Sequence, residues 1–462
     1  MKKRTFNAIA YNLFILSLLF SITFNAAAFA YEYSLNELYE IALKNSEKIK
    51  ISEEELGVSK TGKDKAVAAF LPTVTAYGQY YRYNKAKYNG LDFMNYSLSF
   101  PIQPEHTLIG GVKLEETISL GGAQFSRLDI SKRMIEKSGF ELYTAKETFL
   151  YDVTSWYFNV LKAKKSVTLA ENNAERLKTY KKSAETKLKA GEITKTALLR
   201  AKAELSGALA ELLKAQNDLS VKTSALARNI GINGDFSIAE YTTSQKTNEA
   251  EIEAILSACK TAETTCLVDA AMNERTEVKA AVSALEMTKK QITYAKSAFL
   301  PSVTLEGVYQ KRDDSPSTTD TMPPETMYGA VMLSFPIFEG GLRYAEVSEA
   351  VHKKNQSELA LLDLKKSLEN DVEASYYTFL TLKKTLTYFK EQLDYASENY
   401  YAVTKQFNAG LATSLDVIDA NNLLTLSEKQ YSDAYYDLSL STLKLKRSTG
   451  LFLKSIPTKR TD

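Results

Sequence analysis

Apolar residues recur every seven positions over two separate stretches of the chain. Leu198, Leu205, Leu212, Leu219 and Leu226 form one row, with Ala201, Ala208 and Ala215 at the alternate seam positions. Val417, Leu424, Tyr431, Leu438 and Leu445 form the other, with Ala420, Ser427, Ala434 and Ser441 between them. Large residues in one row and small ones in the next let helix axes approach closely, and a heptad kept over about five repeats points to coiled coil rather than an ordinary helical core. A longer helical pattern precedes each stretch. Between Ala123 and Ala190 there is no Pro and Gly only at Gly139, so about 68 residues can run as one helix roughly 100 Å long. Leu342 to Ala409 matches it in extent, lacks both Gly and Pro, and carries the row Val372, Phe379, Leu386, Leu393, Tyr400 and Phe407. No ordinary globular core needs rods of that length. Ala190-Gly191 and Ala409-Gly410 fall where one heptad ends and the next begins, so Gly191 and Gly410 are expected at helix-turn tips joining two antiparallel helical hairpins.

Elsewhere the period drops to two. Val303, Leu305, Gly307 and Tyr309 alternate with Thr304, Glu306, Val308 and Gln310, and Val331, Leu333, Phe335 and Ile337 with Ala330, Met332 and Ser334. Val112, Leu114 and Ile118 alternate likewise with Gly111, Lys113, Glu115, Thr117 and Ser119. Pro72 and Pro301 are expected to end the preceding helices as helix-strand corners. Gly121, Gly122, Gly340 and Gly341 are read as strand-helix corners, where a side chain would crowd the bend. One apolar and one polar face over about ten residues marks a water-filled membrane barrel, although a soluble half-buried sheet alternates in the same way. The number of strands decides between them. About four strands, with unpaired edges and beside such rods, do not make a compact domain. Several protomers sharing one barrel would close it, with Tyr80, Tyr81, Tyr83 and Tyr309 placed at the lipid interfaces.

The chain is one unit written twice. "AFLPTVTAYGQYYR" (69 to 82) returns as "AFLPSVTLEGVYQKR" (298 to 312), 229 residues on. Gly121-Gly122 pairs with Gly340-Gly341, Ala190-Gly191 with Ala409-Gly410 and Gly231 with Gly450, each at an offset of 219. The first copy therefore holds ten extra residues between its Leu-Pro and its Gly-Gly, where a variable loop would tolerate them. Weaker likeness upstream pairs "ALKNSEKIK" (42 to 50) with "AMNERTEVK" (271 to 279). Each half thus reads helix, strand, loop, strand, long helix, short helix, at a period far beyond solenoid repeats. The expected divisions are a signal peptide at 1-30, a first repeat at 31-232, a linker at 233-260, a second repeat at 261-451 and a tail at 452-462.

The leader rests on a Lys-Lys-Arg start, an apolar run from about Ala8 to Phe24 and the small-residue site Ala28-Phe29-Ala30. Cleavage before Tyr31 would send the mature chain out of the cytoplasm; the alternative, a membrane anchor, fits a short apolar core less well. No Cys follows that site, so no lipoprotein signal is read. Of the 462 residues, losing Lys2, Lys3 and Arg4 with no acidic residue takes the formal charge from +2 to −1, which gives no case for nucleic acid. No later stretch is apolar enough for a transmembrane helix, so any membrane crossing must use closed strands. The two cysteines stand in "CKTAETTC". In an oxidising compartment Cys259 and Cys266 could close a small disulfide loop, and the threonines between them favour one; on one continuous helix they would stand about 10 Å apart and could not bond.

These pieces resemble the TolC-type outer membrane efflux proteins. The likeness covers nearly all of the mature chain: the duplicated Ala-Phe-Leu-Pro before a strand, "FPIFEGG" (335 to 341) closing the second hairpin, and "NAGLATSLDVIDA" (408 to 420) at the helical turn. The resemblance implies a mixed, mostly α fold. Long antiparallel coiled-coil helices would form a periplasmic tunnel, and four β-strands per protomer would enter one shared trimeric twelve-stranded outer membrane barrel. It also implies a homotrimer held in outer membrane lipid and docked to a periplasmic adaptor and an inner-membrane pump. The expected function is export of small compounds or secreted protein from periplasm to exterior, without catalysis or cofactor.

Asp416 and Asp419 lie one helical turn apart just after Gly410, on or near one helix face. Three protomers would set six carboxylates around a narrow tip, a cation-attracting ring of the kind used in pores; acids in a first helical turn are also favoured by the macrodipole. In the family, matching positions line the periplasmic entrance. Family members close that entrance with Tyr, Arg and Asp links, but the corresponding positions here are Phe407, Ala412 and Ala197, so the resemblance does not carry those links over to this chain. Two other readings stay open at this level. A structural coiled-coil protein of the periplasm would be soluble, with no heat-sensitive barrel oligomer. An enzyme using paired domains would need a clustered site. "GGAQFSR" and "GEITKT" lack the Walker spacing, His106 falls in an expected outer loop and His352 on a long helix, and neither has a partner for metal or acid-base work.

Overall fold

The computed structural model describes residues 32–93, 96–232, 236–241, 263–318 and 322–456. The leader, Cys259 and most of the 233–260 linker lie outside them. The first half runs β1 (Glu32–Tyr33), α1 (Leu35–Asn45), α2 (Glu47–Ala68), β2 (Thr73–Arg82), β3 (Lys87–Phe93), β4 (Tyr96–Gln103), β5 (His106–Ser119), α3 (Ala123–Lys189) and α4 (Lys195–Ile230). After β6 (Ser237–Ile238), the second half runs α5 (Glu263–Glu274), α6 (Thr276–Ser297), β7 (Ser302–Ser315), β8 (Glu325–Ser334), α7 (Leu342–Asn408) and α8 (Ser414–Ser448). The repeat holds in length as well as order: α2 and α6 have 22 residues each, and α3 and α7 have 67. At 1.5 Å per residue, each long helix spans roughly 100 Å.

Local chemistry sets the helix ends. Ser34 and Thr413 close capping boxes with Glu37 and Asp416, and Thr194 caps α4 through the Ala197 N–H. Gly191 and Gly410 adopt φ of 76° and 79°, the left-handed conformation that lets each long helix stop and turn. The helices before the strands end earlier than their prolines. α2 stops at Ala68 and α6 at Ser297, and a short turn follows in which the Phe70 N–H donates to the Val67 carbonyl (2.9 Å) and Phe299 to Lys296 (3.1 Å). The residue before a proline is held extended, so the helix has to unwind in the preceding turn. Pro72 and Pro301 instead lead directly into β2 and β7.

Four strands form one antiparallel sheet in the order β2-β5-β7-β8, and the two halves join through fourteen paired residues of β5 and β7, from His106↔Ser315 to Ser119↔Ser302. The outer edges of β2 and β8 are unpaired within the protomer. The variable loop read in the first copy is instead a second hairpin, β3 with β4, carrying a register shift at Lys87/Tyr88. His106 is accordingly the first residue of β5 rather than part of a loop, because the ladder to β7 runs to its end.

The core follows the helices. At the waist, Leu38, Tyr39, Ile49, Leu150, Val153, Tyr157, Leu161, Leu226, Ile230 and Phe452 are buried together. α5 packs on α7 and α8 through Leu267, Val372, Tyr376, Phe379, Leu438 and Leu445. Near the tips, Leu177, Tyr180, Ala184, Ala201, Phe407, Val417 and Ile418 join both hairpins. Among the described residues no helix is long and apolar enough to cross a membrane.

Candidate functional site

The sheet has two unlike faces. Register places Val74 and Tyr80 of β2, Leu108, Val112, Leu114 and Ile118 of β5, Val303, Leu305 and Tyr309 of β7, and Met327, Val331 and Leu333 of β8 on one side. Most of these large apolar side chains are exposed; Val331 is 74% exposed and Met327 83%. Such a surface on a water-soluble monomer would be a liability, and it suits lipid. Charged residues on this side gather at the ends of the band: Glu116 near the helices, and Arg82, His106, Lys311, Asp313 and Glu325 near the hairpin loops. Tyr80 donates or accepts a hydrogen bond with His106 Nδ1 at 2.7 Å at that far end. Tyr81 alternates to the opposite face and donates to Gln79 (3.0 Å), so it is not a lipid-interface residue. Tyr83 lies just beyond β2, with its N–H on the Glu105 carbonyl.

The other face is mostly polar, with Ile109, Val308 and Met332 its large apolar residues. Thr73, Thr75, Tyr77, Lys113, Glu115, Thr117, Thr304, Glu306, Gln310 and Tyr328 lie on it.

Gly121 meets the end of α6, where an added Cβ would stand 2.2 Å from the Ser297 carbonyl oxygen. That is the crowding expected of a corner. Gly340 and Gly341 have open space at the Cβ position, and a Cβ on Gly122 would make only ordinary contact with Phe125 (4.0 Å); all three have positive φ, so their constraint is conformational. The repeat extends to side chains beside these corners: Phe70 packs edge-on against Phe125 (5.2 Å), and Phe299 against Tyr344 (5.1 Å).

At the opposite end, Asp416 and Asp419 are both exposed. Asp416 accepts from the Thr413 hydroxyl and N–H, each at 2.7 Å, and these bonds hold its carboxyl below the usual range. It therefore caps α8 as well as facing solvent. Phe407 is buried against Tyr180 (5.4 Å between rings), and Lys187 Nζ sits over it. Ala412 packs beside the same cluster, and Ala197 belongs to the α4 cap. Cys266 lies in the first turn of α5 and is disulfide-bonded; Thr264 and Thr265 are helical, not loop.

Sequence reasoning missed two polar clusters. Arg176 on α3 donates to both Glu428 oxygens (3.1 and 3.0 Å), to Asn421 and to Thr425 on α8, tying the two hairpins together midway along their length. At the waist, Arg275 donates to both Glu277 oxygens (2.7 and 3.2 Å) and to Asp371 (3.1 Å), beside the buried Glu147. No local pattern marks either cluster, since Arg176 and Glu428 lie 252 residues apart. Among the described residues no group of acidic, His or Cys side chains could hold a metal.

A two-faced sheet with open edges, carried on rods about 100 Å long, fits a shared membrane cylinder continued by a tunnel. The sequence profile of the outer membrane efflux protein family matches residues 38–231 and 267–451. The chain belongs to that family. It is 23% identical over 327 residues to the outer membrane protein TolC of Vibrio cholerae, covering 70% of this chain and 72% of that one. To the alkaline protease secretion protein AprF of Pseudomonas aeruginosa it is 21% identical over 437 residues, covering 91% and 85%. Its fold superposes on CusC with a TM-score of 0.76 at 16% identity (91% and 93% covered), and on the outer membrane protein VceC of Vibrio cholerae with 0.74 at 16% (90% and 96%). This outer membrane efflux protein is a channel and not an enzyme. Its barrel closes only in the trimer, with the apolar face toward lipid, the polar face toward the lumen and the helices in the periplasm.

Proposed function

We propose that the protein is the exit duct of an envelope-spanning export machine. It passes small compounds or secreted protein from the periplasm to the exterior, while a periplasmic adaptor docked on the helical tips and an inner-membrane pump supply recognition and energy. The observation that carries this reading is the join within one chain: each half passes once from a long hairpin into the barrel sheet, so lumen and tunnel are continuous. The similarity to AprF, which is named for protease secretion, supports a polypeptide as one class of cargo.

Asp416 and Asp419 would form the acidic entrance, six carboxylates in the trimer at the end farthest from the barrel. Thr413 donates to the Asp416 carboxyl and holds it below the usual range, and a ring of fixed negative charge concentrates cations at a narrow opening. Asp416→Asn with Asp419→Asn retains an acceptor for the α8 cap while removing the charge. In planar-bilayer recordings this double variant is expected to lower the potassium-over-chloride permeability ratio with trimer assembly intact. An unchanged ratio would discard the entrance assignment.

A further inference from the structure

The lumen face of the barrel carries its own charge belt. Lys113 of β5 is held between Glu115 (2.7 Å) on its own strand and Glu306 (3.0 Å) of β7. Tyr328 of β8 donates to the same Glu306 at 3.0 Å. One step along the register, Tyr77 of β2 reaches across Gly111 to donate to Gln310 at 2.9 Å. Gly111 fits there because a Cβ would stand 2.5 Å from the Tyr309 carbonyl oxygen. The polar row thus crosses all four strands at nearly one height. The remaining charges on this face are Arg312 and Asp314, which pair with each other at 2.8 Å near the outer end. Within the belt one ammonium faces two carboxylates, leaving one net negative charge per protomer and three in the closed barrel.

We propose that this belt is a second selectivity element, built into the barrel, favouring small cationic solutes over anions of the same size. Lys113 sets its strength. The ammonium neutralises one of the two carboxylates and holds both against the wall, so the lumen presents a moderate, fixed negative field rather than a deep trap that would stall cargo. Substitutions on a lumen face change selectivity without touching the lipid contact. The belt lies in the barrel, far from Asp416 and Asp419 at the helical tips, and acts in series with them. The inference rests on the channel reading above.

The test is the reversal potential of purified trimers in planar bilayers under a potassium chloride gradient. Lys113→Gln exposes both carboxylates and is expected to raise the potassium-over-chloride ratio. Glu306→Gln leaves a neutral Lys113–Glu115 pair and is expected to lower it. Glu115→Gln with Glu306→Gln leaves Lys113 alone and is expected to shift the preference toward chloride. Should Lys113→Gln fail to assemble, the two glutamate variants carry the test from the opposite direction. Conducting trimers that all share the wild-type ratio would overturn the belt and leave the channel standing. A wild-type trimer that does not conduct would overturn the channel reading itself.

Discussion

Arg275→Ala is expected to destabilise the folded protomer by about 3–5 kcal/mol, the usual cost of removing one partner from a buried ion pair. Arg275 is 6% exposed, forks onto Glu277 and reaches Asp371 on α7. Its loss leaves Glu277 without its guanidinium and removes one of the two cations that offset the buried Glu147. Lysine at this position recovers only part of the loss, because a single ammonium cannot make a planar two-point contact with Glu277 while also reaching Asp371. Thermal unfolding of the helical part, followed by circular dichroism, should show a large drop in midpoint for Arg275→Ala and a smaller one for Arg275→Lys. A midpoint unchanged in the alanine variant would contradict this account of the waist.

The second large effect depends on pH. Glu147 is 4% exposed, and burial, with the nearby Glu277 adding to it, pushes its carboxyl up from 4.5 to about 7 against the pull of Arg275 and Arg447. Because the folded value is the higher one, the folded state keeps a proton that the unfolded chain releases from about pH 4.5 upward. The stability from this group is complete below that value and is lost as pH rises through about 7. Glu147→Gln removes the dependence. The variant is expected to be more stable than wild type by about 3 kcal/mol at pH 8, with the gap narrowing steadily toward pH 5. A gap that stays constant or widens on acidification would refute the assignment.

Much of this architecture was legible because it is written in periodic terms. The heptad rows from Leu198 and Val417 mark the two hairpins, and the glycines at one fixed offset mark the turns and corners. The alternation around Val112, Val303 and Val331 marks three of the four barrel strands. The misses share a cause. The β3–β4 hairpin is hidden because the offset reveals only ten extra residues in the first copy, and a count of inserted residues does not tell a loop from a short hairpin. Tyr81 was assigned by residue type, although strand alternation sets it opposite Tyr80. Lys113 and Glu306, Arg176 and Glu428, and Arg275 and Asp371 are pairs that only tertiary register brings together, and no spacing along the chain encodes them. Asp416 stands in the first turn of α8, where the macrodipole favours an acid, and its capping box with Thr413 coexists with the exposure that an entrance residue needs.

The claim on which the rest depends is that strands from separate chains close a single lipid-embedded cylinder. The most direct measurement is the mass and conductance of the detergent-extracted protein before and after heating. The account predicts a particle of three chains that conducts in a planar bilayer and falls to single chains on heating. A monodisperse single chain, freely soluble without detergent and unable to conduct, would contradict it.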